Sequence, residues 1–231
     1  MEERKLSKSS LIWYFLIFSI FGLLIETLYC YITTGVLESR QGLVYGPFCP
    51  IYGCGAVIYI IFLNKFKDSK LKLFFTGAML GSIVEYILSY GMEAIYSNRF
   101  WDYSYTNYHI NGRISLTYTV FWGILAIVLI KWIKPLIDII INKININIRK
   151  KLEISIIILF IIDGLLTVWA VKSYTVRAQE AYWNNGKLYK SEHGVDELLF
   201  PNEKMMRTFP NIRIKDKDGN EIWARSVFEN I

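Results

Sequence analysis

Five apolar runs, each close to the length that crosses a bilayer, constrain this chain more than any other feature. They cover about residues 11–34, 43–63, 71–96, 114–133 and 152–171; a helix needs roughly 20 apolar residues to span the hydrocarbon. The second run reaches that length only if its broken entrance, RQGLVYGPFCPIYGCG at residues 40–55, is counted. Hydrophobic residues make up 53% of the 231 positions, more than an ordinary soluble domain carries. The expected fold is all-α: an integral membrane bundle of about five transmembrane helices over residues 1–172, then a small mixed tail over 173–231. The first run is too long for a removable leader, and Glu26 lies inside it.

Lysine and arginine in the short loops set the expected orientation. Arg4, Lys5 and Lys8 precede the first run, and Lys65, Lys67, Lys70 and Lys72 follow the second. Lys131, Lys134, Lys143, Arg149, Lys150 and Lys151 follow the fourth. The alternate loops carry only Arg40, and Arg99 with Arg113. This pattern predicts a cytoplasmic N-terminus and an extracellular C-terminus. The net charge of +6 is therefore a signal of orientation. It is no footprint for nucleic acid, which would call for a basic face with stacking aromatics on a soluble module.

Ionisable residues at membrane depth are costly and face a bundle interior or a water cavity. Glu26, Glu85, Glu93 and Asp163 all fall within apolar runs. In the first run Ser19, Gly22, Glu26, Cys30 and Thr33 recur at steps of three and four, which places them on one helix face. The third run reads Gly77, Gly81, Glu85, Ser89, Glu93, four apart throughout. Ser115, Thr119, Gly123 and Ala126 form a stripe in the fourth, and Asp163, Thr167 and Ala170 one in the fifth. Small residues let helices approach closely, so packing alone accounts for the glycines, serines and threonines. Several carboxylates with only Arg113 and Arg40 as basic neighbours favour a polar cavity. Glu93 also reads as a solvated boundary residue.

Two readings of the 40–55 entrance stay open. Irregular backbone at membrane depth survives where protein shields it or where it lines water. The glycines and prolines therefore mark either a re-entrant or unwound outer segment, or a compact loop. The outer loop before the fourth run is rich in aromatics, and Trp101, Tyr103, Tyr105 and Tyr108 suit an interfacial belt. Asp102 and Ser104 can pin that loop, and Asn111–Gly112 marks a tight turn. Arg113 then opens the fourth run, where its expected partner is Glu85 or, failing that, Glu26.

Cys49 and Cys54 could be bridged, although inert thiols are favoured and spacing does not decide. His109 and His193 are too far apart in sequence for metal-ligand spacing, and no cofactor is expected. In the tail, SYTVRAQEAYW extends the fifth helix, and NIRIKDKDGNEIWA alternates like a hairpin around Asp218–Gly219. Asp216, Asp218 and Asn220 imitate a calcium loop, but Glu221 and Val227 stand where its glycine and bidentate glutamate belong.

The segments FGLLIETLY, RQGLVYGPFCPIYGCG, EYILSYGMEAIY, WDYS and NGRISL…FWG occur in that order. Together they resemble the CmpB-like, putative ABC-transporter type IV family of multi-spanning proteins, common in Gram-positive bacteria, over roughly residues 10–135. The positions that carry the likeness include Glu26, Arg40, Gly42, Tyr45, Gly46, Pro47, Cys49, Pro50, Tyr52 and Gly53, then Glu85, Tyr86, Trp101, Asp102, Asn111, Gly112, Arg113 and Gly123. The resemblance implies a permease-type membrane protein and brings no substrate. The candidate cavity residues are thus Glu26, Glu85, Arg113, Arg40, Asp102, Asn111, Tyr45 and Tyr52, with the backbone of Gly42, Gly46, Pro47, Pro50 and Gly53 shaping the loop.

The chain has no G-x-x-x-x-G-K-[ST] phosphate loop, so an ATPase would be a separate subunit docked on the cytoplasmic loops, with 134–151 the longest. A homo- or hetero-oligomer is open. Three functions compete. A transport component would hold a polar or charged solute in the carboxylate and arginine cavity. A membrane partner or sensor would act through the tail. A membrane enzyme with Glu26 or Glu85 as general base is the weakest reading, because no activated nucleophile, nucleotide-binding or metal motif accompanies them.

Overall fold

The computed structural model describes residues 6–96, 101–183, 194–215 and 219–229. Arg99, His193 and the Asp216–Asp218 stretch, all of which entered the expectations above, lie outside them. Helices dominate: α1 (Lys8–Thr34), α2 (Pro50–Leu63), α3 (Lys70–Tyr96), α4 (Leu116–Val128), α5 (Lys134–Lys143) and α6 (Ile146–Trp183), with three short helices, α7 (Gly194–Leu199), α8 (Asn202–Thr208) and α9 (Ala224–Glu229), in the tail. Two small antiparallel pairs complete the fold, β1 (His109–Ile110) with β2 (Ile114–Ser115) and β3 (Arg213–Lys215) with β4 (Glu221–Trp223). Among the described residues, three stretches, Lys8–Thr34, Lys70–Gly91 and Ile146–Trp183, are long and apolar enough to cross a membrane.

Local chemistry explains the helix boundaries. Ser7 accepts the Ser10 N–H at 3.0 Å, and Ser69 and Asn145 do the same for Lys72 and Asn147. These are side-chain caps on helix N-termini that would otherwise leave amides unpaired. Proline at the first helical position has no N–H to lose, and α2 begins at Pro50. Its 14 residues are fewer than expected for the second run, because the backbone from Gly35 to Cys49 is irregular. The fourth run stays helical beyond its expected end. A π-turn at Leu129–Ile133 joins α4 to α5. Pro135 sits in the first turn of α5, and its ring would clash with the carbonyl four residues back, so the wider turn relieves the crowding at Lys131. Residues 134–151, the longest connection expected on the cytoplasmic side and one that suits helical coupling elements, are almost wholly helical. The extension of the fifth helix through SYTVRAQEAYW is observed as well.

The chain divides into two compact units. The first comprises Met1–Phe15 and Cys54–Lys150, and α3 against α4 forms its centre. A Cβ on Gly77 would strike Ala126, one on Gly81 would strike Tyr59 and Trp122, and one on Gly123 would meet Phe74. Helices approach this closely only through small residues. Tyr59 donates to the Gly77 carbonyl at 2.8 Å, and Ser82 and Thr119 share a hydrogen bond of 2.7 Å. At the other end of α4, Tyr14 donates to Asp138, and Lys134 pairs with the same carboxylate at 2.7 Å.

The second unit comprises Leu16–Gly53 and Lys151–Ile231. Its core gathers Ala170, Tyr174, Ala178 and Ala181 from one face of α6 with Phe200, Met205, Ile214, Ala224 and Val227 from the tail. Val44, from the Gly/Pro-rich segment, is buried in the same core. The expected hairpin is present, with Arg213 opposite Trp223 and Lys215 opposite Glu221. All three cysteines are free thiols.

Candidate functional site

The polar stripes of the spans all meet named neighbours. In the first unit the α3 stripe can be followed residue by residue. Glu85 accepts from the Tyr103 hydroxyl at 2.7 Å and from the Trp122 indole N–H at 2.9 Å. Burial, and then the bond to Glu85, keeps the Tyr103 phenol above its ordinary pKa, so it remains a proton donor. Ser89 and Glu93 lie further along the stripe and receive Arg113. Its guanidinium donates to Ser89 Oγ at 3.0 Å and pairs with Glu93. The rings of Tyr86 and Tyr90 lie 5.8 and 5.4 Å from it. This corrects the expected pairing of Arg113 with Glu85 or Glu26.

The turn between β1 and β2 explains the difference. Asn111 and Gly112 both have positive φ, 51° and 66°, as a tight hairpin turn requires. The Arg113 N–H closes the turn on the Ile110 carbonyl at 2.9 Å. A Cβ on Gly112 would meet Asp102, whose Oδ1 accepts from the Ser104 amide and hydroxyl at 2.9 and 2.6 Å. Asn111 reaches the Tyr86 hydroxyl at 3.0 Å, and the Trp101 indole donates to the Arg113 carbonyl at 3.1 Å. Asp102, Asn111 and Arg113 therefore form one loop-pinning group over the end of α3. Beside it runs an open apolar groove of about 540 Å³, lined by Met79, Ile83, Ile87, Ile110 and Ile114, with Ser82, Tyr86 and Thr119. Its walls offer little to a charged solute.

In the second unit the Gly/Pro-rich segment is gripped from both flanks. Toward α1, the Cys49 amide donates to the Ser19 carbonyl at 2.9 Å, and Tyr52 donates to Glu26. Gly22 makes room for the Tyr52 ring, which a Cβ would strike. Arg40 donates to Cys30 Sγ at 2.8 Å and lies 4.0 Å from Glu38. Toward α6, Thr167 accepts the Val44 N–H at 2.8 Å, and Asp163 Oδ1 accepts the Tyr45 N–H at 3.2 Å. Inside the segment, the Gly42 amide bonds to the Phe48 carbonyl at 2.9 Å, and Gln41 donates to the Gly46 carbonyl at 2.7 Å. Pro47 is exposed, Pro50 starts α2, and Gly53 is buried in its first turn.

Three charged groups in this unit keep a buried atom with no hydrogen-bond partner: Arg40 Nε and Asp163 Oδ2 at the Gly/Pro-rich segment, and Arg177 Nη1 in the core under the tail. The tail supplies residues that the sequence reading did not single out. Arg225 pairs with Glu38 at 2.7 Å, and Lys204 Nζ stands 3.8 Å from the centre of the Tyr45 ring. Neither contact leaves a local signal in the sequence, since about 160 residues or more separate the partners. The spacing of Asp163 and Thr167 was the one visible sign of an α6 face turned to polar company.

Residues 13–168 match the family described as Putative ABC-transporter type IV. The chain belongs to that family. No curated protein and no solved structure matches it. The family's extent covers both polar groups, from Glu26 and the Gly/Pro-rich segment through Glu85, Arg113 and Asp163, and stops short of the tail. Apolar helices of membrane-spanning length and membership of an ABC-transporter family agree on a membrane protein of transport type.

Proposed function

We propose that the chain is the permease-type component of an ABC system and that it binds a polar or charged solute at the Gly/Pro-rich segment, with Arg40 and Asp163 as its polar contacts. One observation carries this reading. A guanidinium nitrogen and a carboxylate oxygen are buried there without partners, although buried polar atoms almost always find one. Leaving a charged group short of hydrogen bonds costs free energy, and the polar groups of a solute would supply the missing bonds. Irregular backbone between helices is also how many membrane transporters build their sites. Glu26 with Tyr52 and the Asp163–Tyr45 bond then set the walls, while Glu85, Asp102, Asn111 and Arg113 hold the other outer loop in shape.

This reading takes five crossings, with α2 lengthened by the segment before it and α4 by the π-turn after it. The N-terminus is cytoplasmic and the C-terminus extracellular, in keeping with the lysine-rich loops. The packing of the tail on Val44 agrees with both lying on one side. A separate ATPase subunit would dock on the cytoplasmic side, along α5 and the start of α6. A reporter active only outside the cell should give signal when fused after Glu229 and none when fused after Lys70. The reverse result would overturn the orientation.

For the site, the full chain in mild detergent should be screened by thermal unfolding against amino acids, betaines, phosphate esters and sugars. At least one class should raise the melting temperature. Binding in excess over Kd by about 100-fold corresponds to about 2.7 kcal/mol of added stability. Arg40→Gln and Asp163→Asn should each abolish that rise while the unliganded protein still unfolds cooperatively. A rise that survives both substitutions, or no rise with any class, would refute the assignment. The contact of Arg225 with Glu38 favours a second reading, in which the tail senses an external signal and passes it to the segment.

A further inference from the structure

The ammonium of Lys204 lies over the face of Tyr45, 3.8 Å from its centre. Among the described residues it forms no ion pair and no hydrogen bond. The backbone of the same tyrosine is bonded to Asp163, a residue only 5% exposed. The second oxygen of that carboxylate is buried with no hydrogen-bond partner, and the Lys204 charge is among those that act on the carboxylate. An aromatic face on a residue whose backbone is bonded to a carboxylate is chemistry suited to an organic ammonium ion, since ring and carboxylate attract the same cation. A hard inorganic cation would need a fuller shell of oxygen ligands, about six to eight for calcium. Tyr45 is 43% exposed, so a ligand can approach it.

We propose that Tyr45 and Asp163 form a binding site for an organic ammonium ion and that Lys204 of the tail is its built-in occupant, which an external cation must displace. The inference rests on the permease reading for the location of the solute and narrows that solute to one with an organic ammonium group, leaving its acceptor groups to Arg40. The occupant is supplied by α8, beyond the extent of the family match. The tail thereby sets the affinity of the site. When an internal group fills a site for about 90% of the time, the apparent affinity of an external ligand falls about tenfold.

The test uses the full chain in detergent, with tetramethylammonium and choline chlorides as probes and sodium chloride at equal concentration as control. Melting temperature and hydrogen exchange over residues 42–48 serve as readouts. Lys204→Gln should bind tetramethylammonium about tenfold more tightly than the wild type, and Lys204→Arg, which keeps a cation on the ring, should not. Adding Tyr45→Leu to Lys204→Gln should remove the gain, and Asp163→Asn in that background should weaken binding. A folded Lys204→Gln protein that responds to tetramethylammonium no more than to sodium would overturn the proposal, as would a gain that persists without the Tyr45 ring. If other solutes bind through Arg40 and Asp163 while ammonium ions do not, the cation assignment fails and the permease reading stands. If ammonium ions bind but cells with and without the chain move them across the membrane at equal rates, the site stands and the permease reading fails.

Discussion

Arg113→Gln is expected to destabilise the protein by about 2–3 kcal/mol, less than the roughly 3–5 kcal/mol typical of breaking a fully buried pair. The discount follows from Glu93, whose side chain is 35% exposed against 8% for Arg113, so water screens part of the attraction. The loss has two sources. Glu93 loses the Arg113 guanidinium, and Ser89 and the two tyrosine rings lose the group they enclose. Combining Arg113→Gln with Glu93→Gln should recover part of the loss, because neither residue then leaves an opposite charge behind. Combining it with Glu85→Gln should give an additive loss, since Glu85 is held by Tyr103 and Trp122 instead. Denaturant unfolding of the four proteins of each cycle measures the coupling. A coupling with Glu85 larger than with Glu93 would contradict the geometry.

That pairing also marks where sequence reasoning reached its limit. The α3 stripe was legible because a helix turns about 100° per residue, so a four-residue repeat identifies a face without knowing what lies opposite. The choice between Glu85 and Glu93 was not. Both lie on the same stripe, about 12 Å apart along the axis at 1.5 Å per residue. Which one receives Arg113 depends on the hairpin at His109–Ser115, whose register is set by a turn and not by helical period. The Gly/Pro-rich segment was readable as irregular, since Gly46 and Pro47 forbid a regular helix there. Its bonds to Ser19 on one flank and Thr167 on the other span too much sequence to be read. In the tail, the strand alternation around Gly219 announced a hairpin. Helices α7, α8 and α9, with six, seven and six residues, are too short to be stable in isolation and depend on the core they help to build.

That core makes the tail part of the same cooperative structure as the segment, and Phe200 is where the coupling can be broken. Phe200 is 1% exposed, packs edge-on to Trp169 at 5.3 Å and offers its carbonyl to the buried Arg177 at 2.7 Å. Phe200→Ala should cost about 3–5 kcal/mol, the transfer free energy of the ring plus the cavity it leaves. Val44 belongs to the same cluster, so the effect should not stay in the tail. Amide exchange should accelerate together at residues 42–46 and 205–214, as members of one opening unit, while amides in the middle of α3 keep their protection. Arg207→Gln, at a pair whose side chains are 79% and 73% exposed, should change little, because such surface pairs contribute about 0–1 kcal/mol. If Phe200→Ala frees the tail while residues 42–46 exchange as before, then Val44 is only a neighbour of the tail, and a tail residue such as Lys204 could not govern what binds at Tyr45.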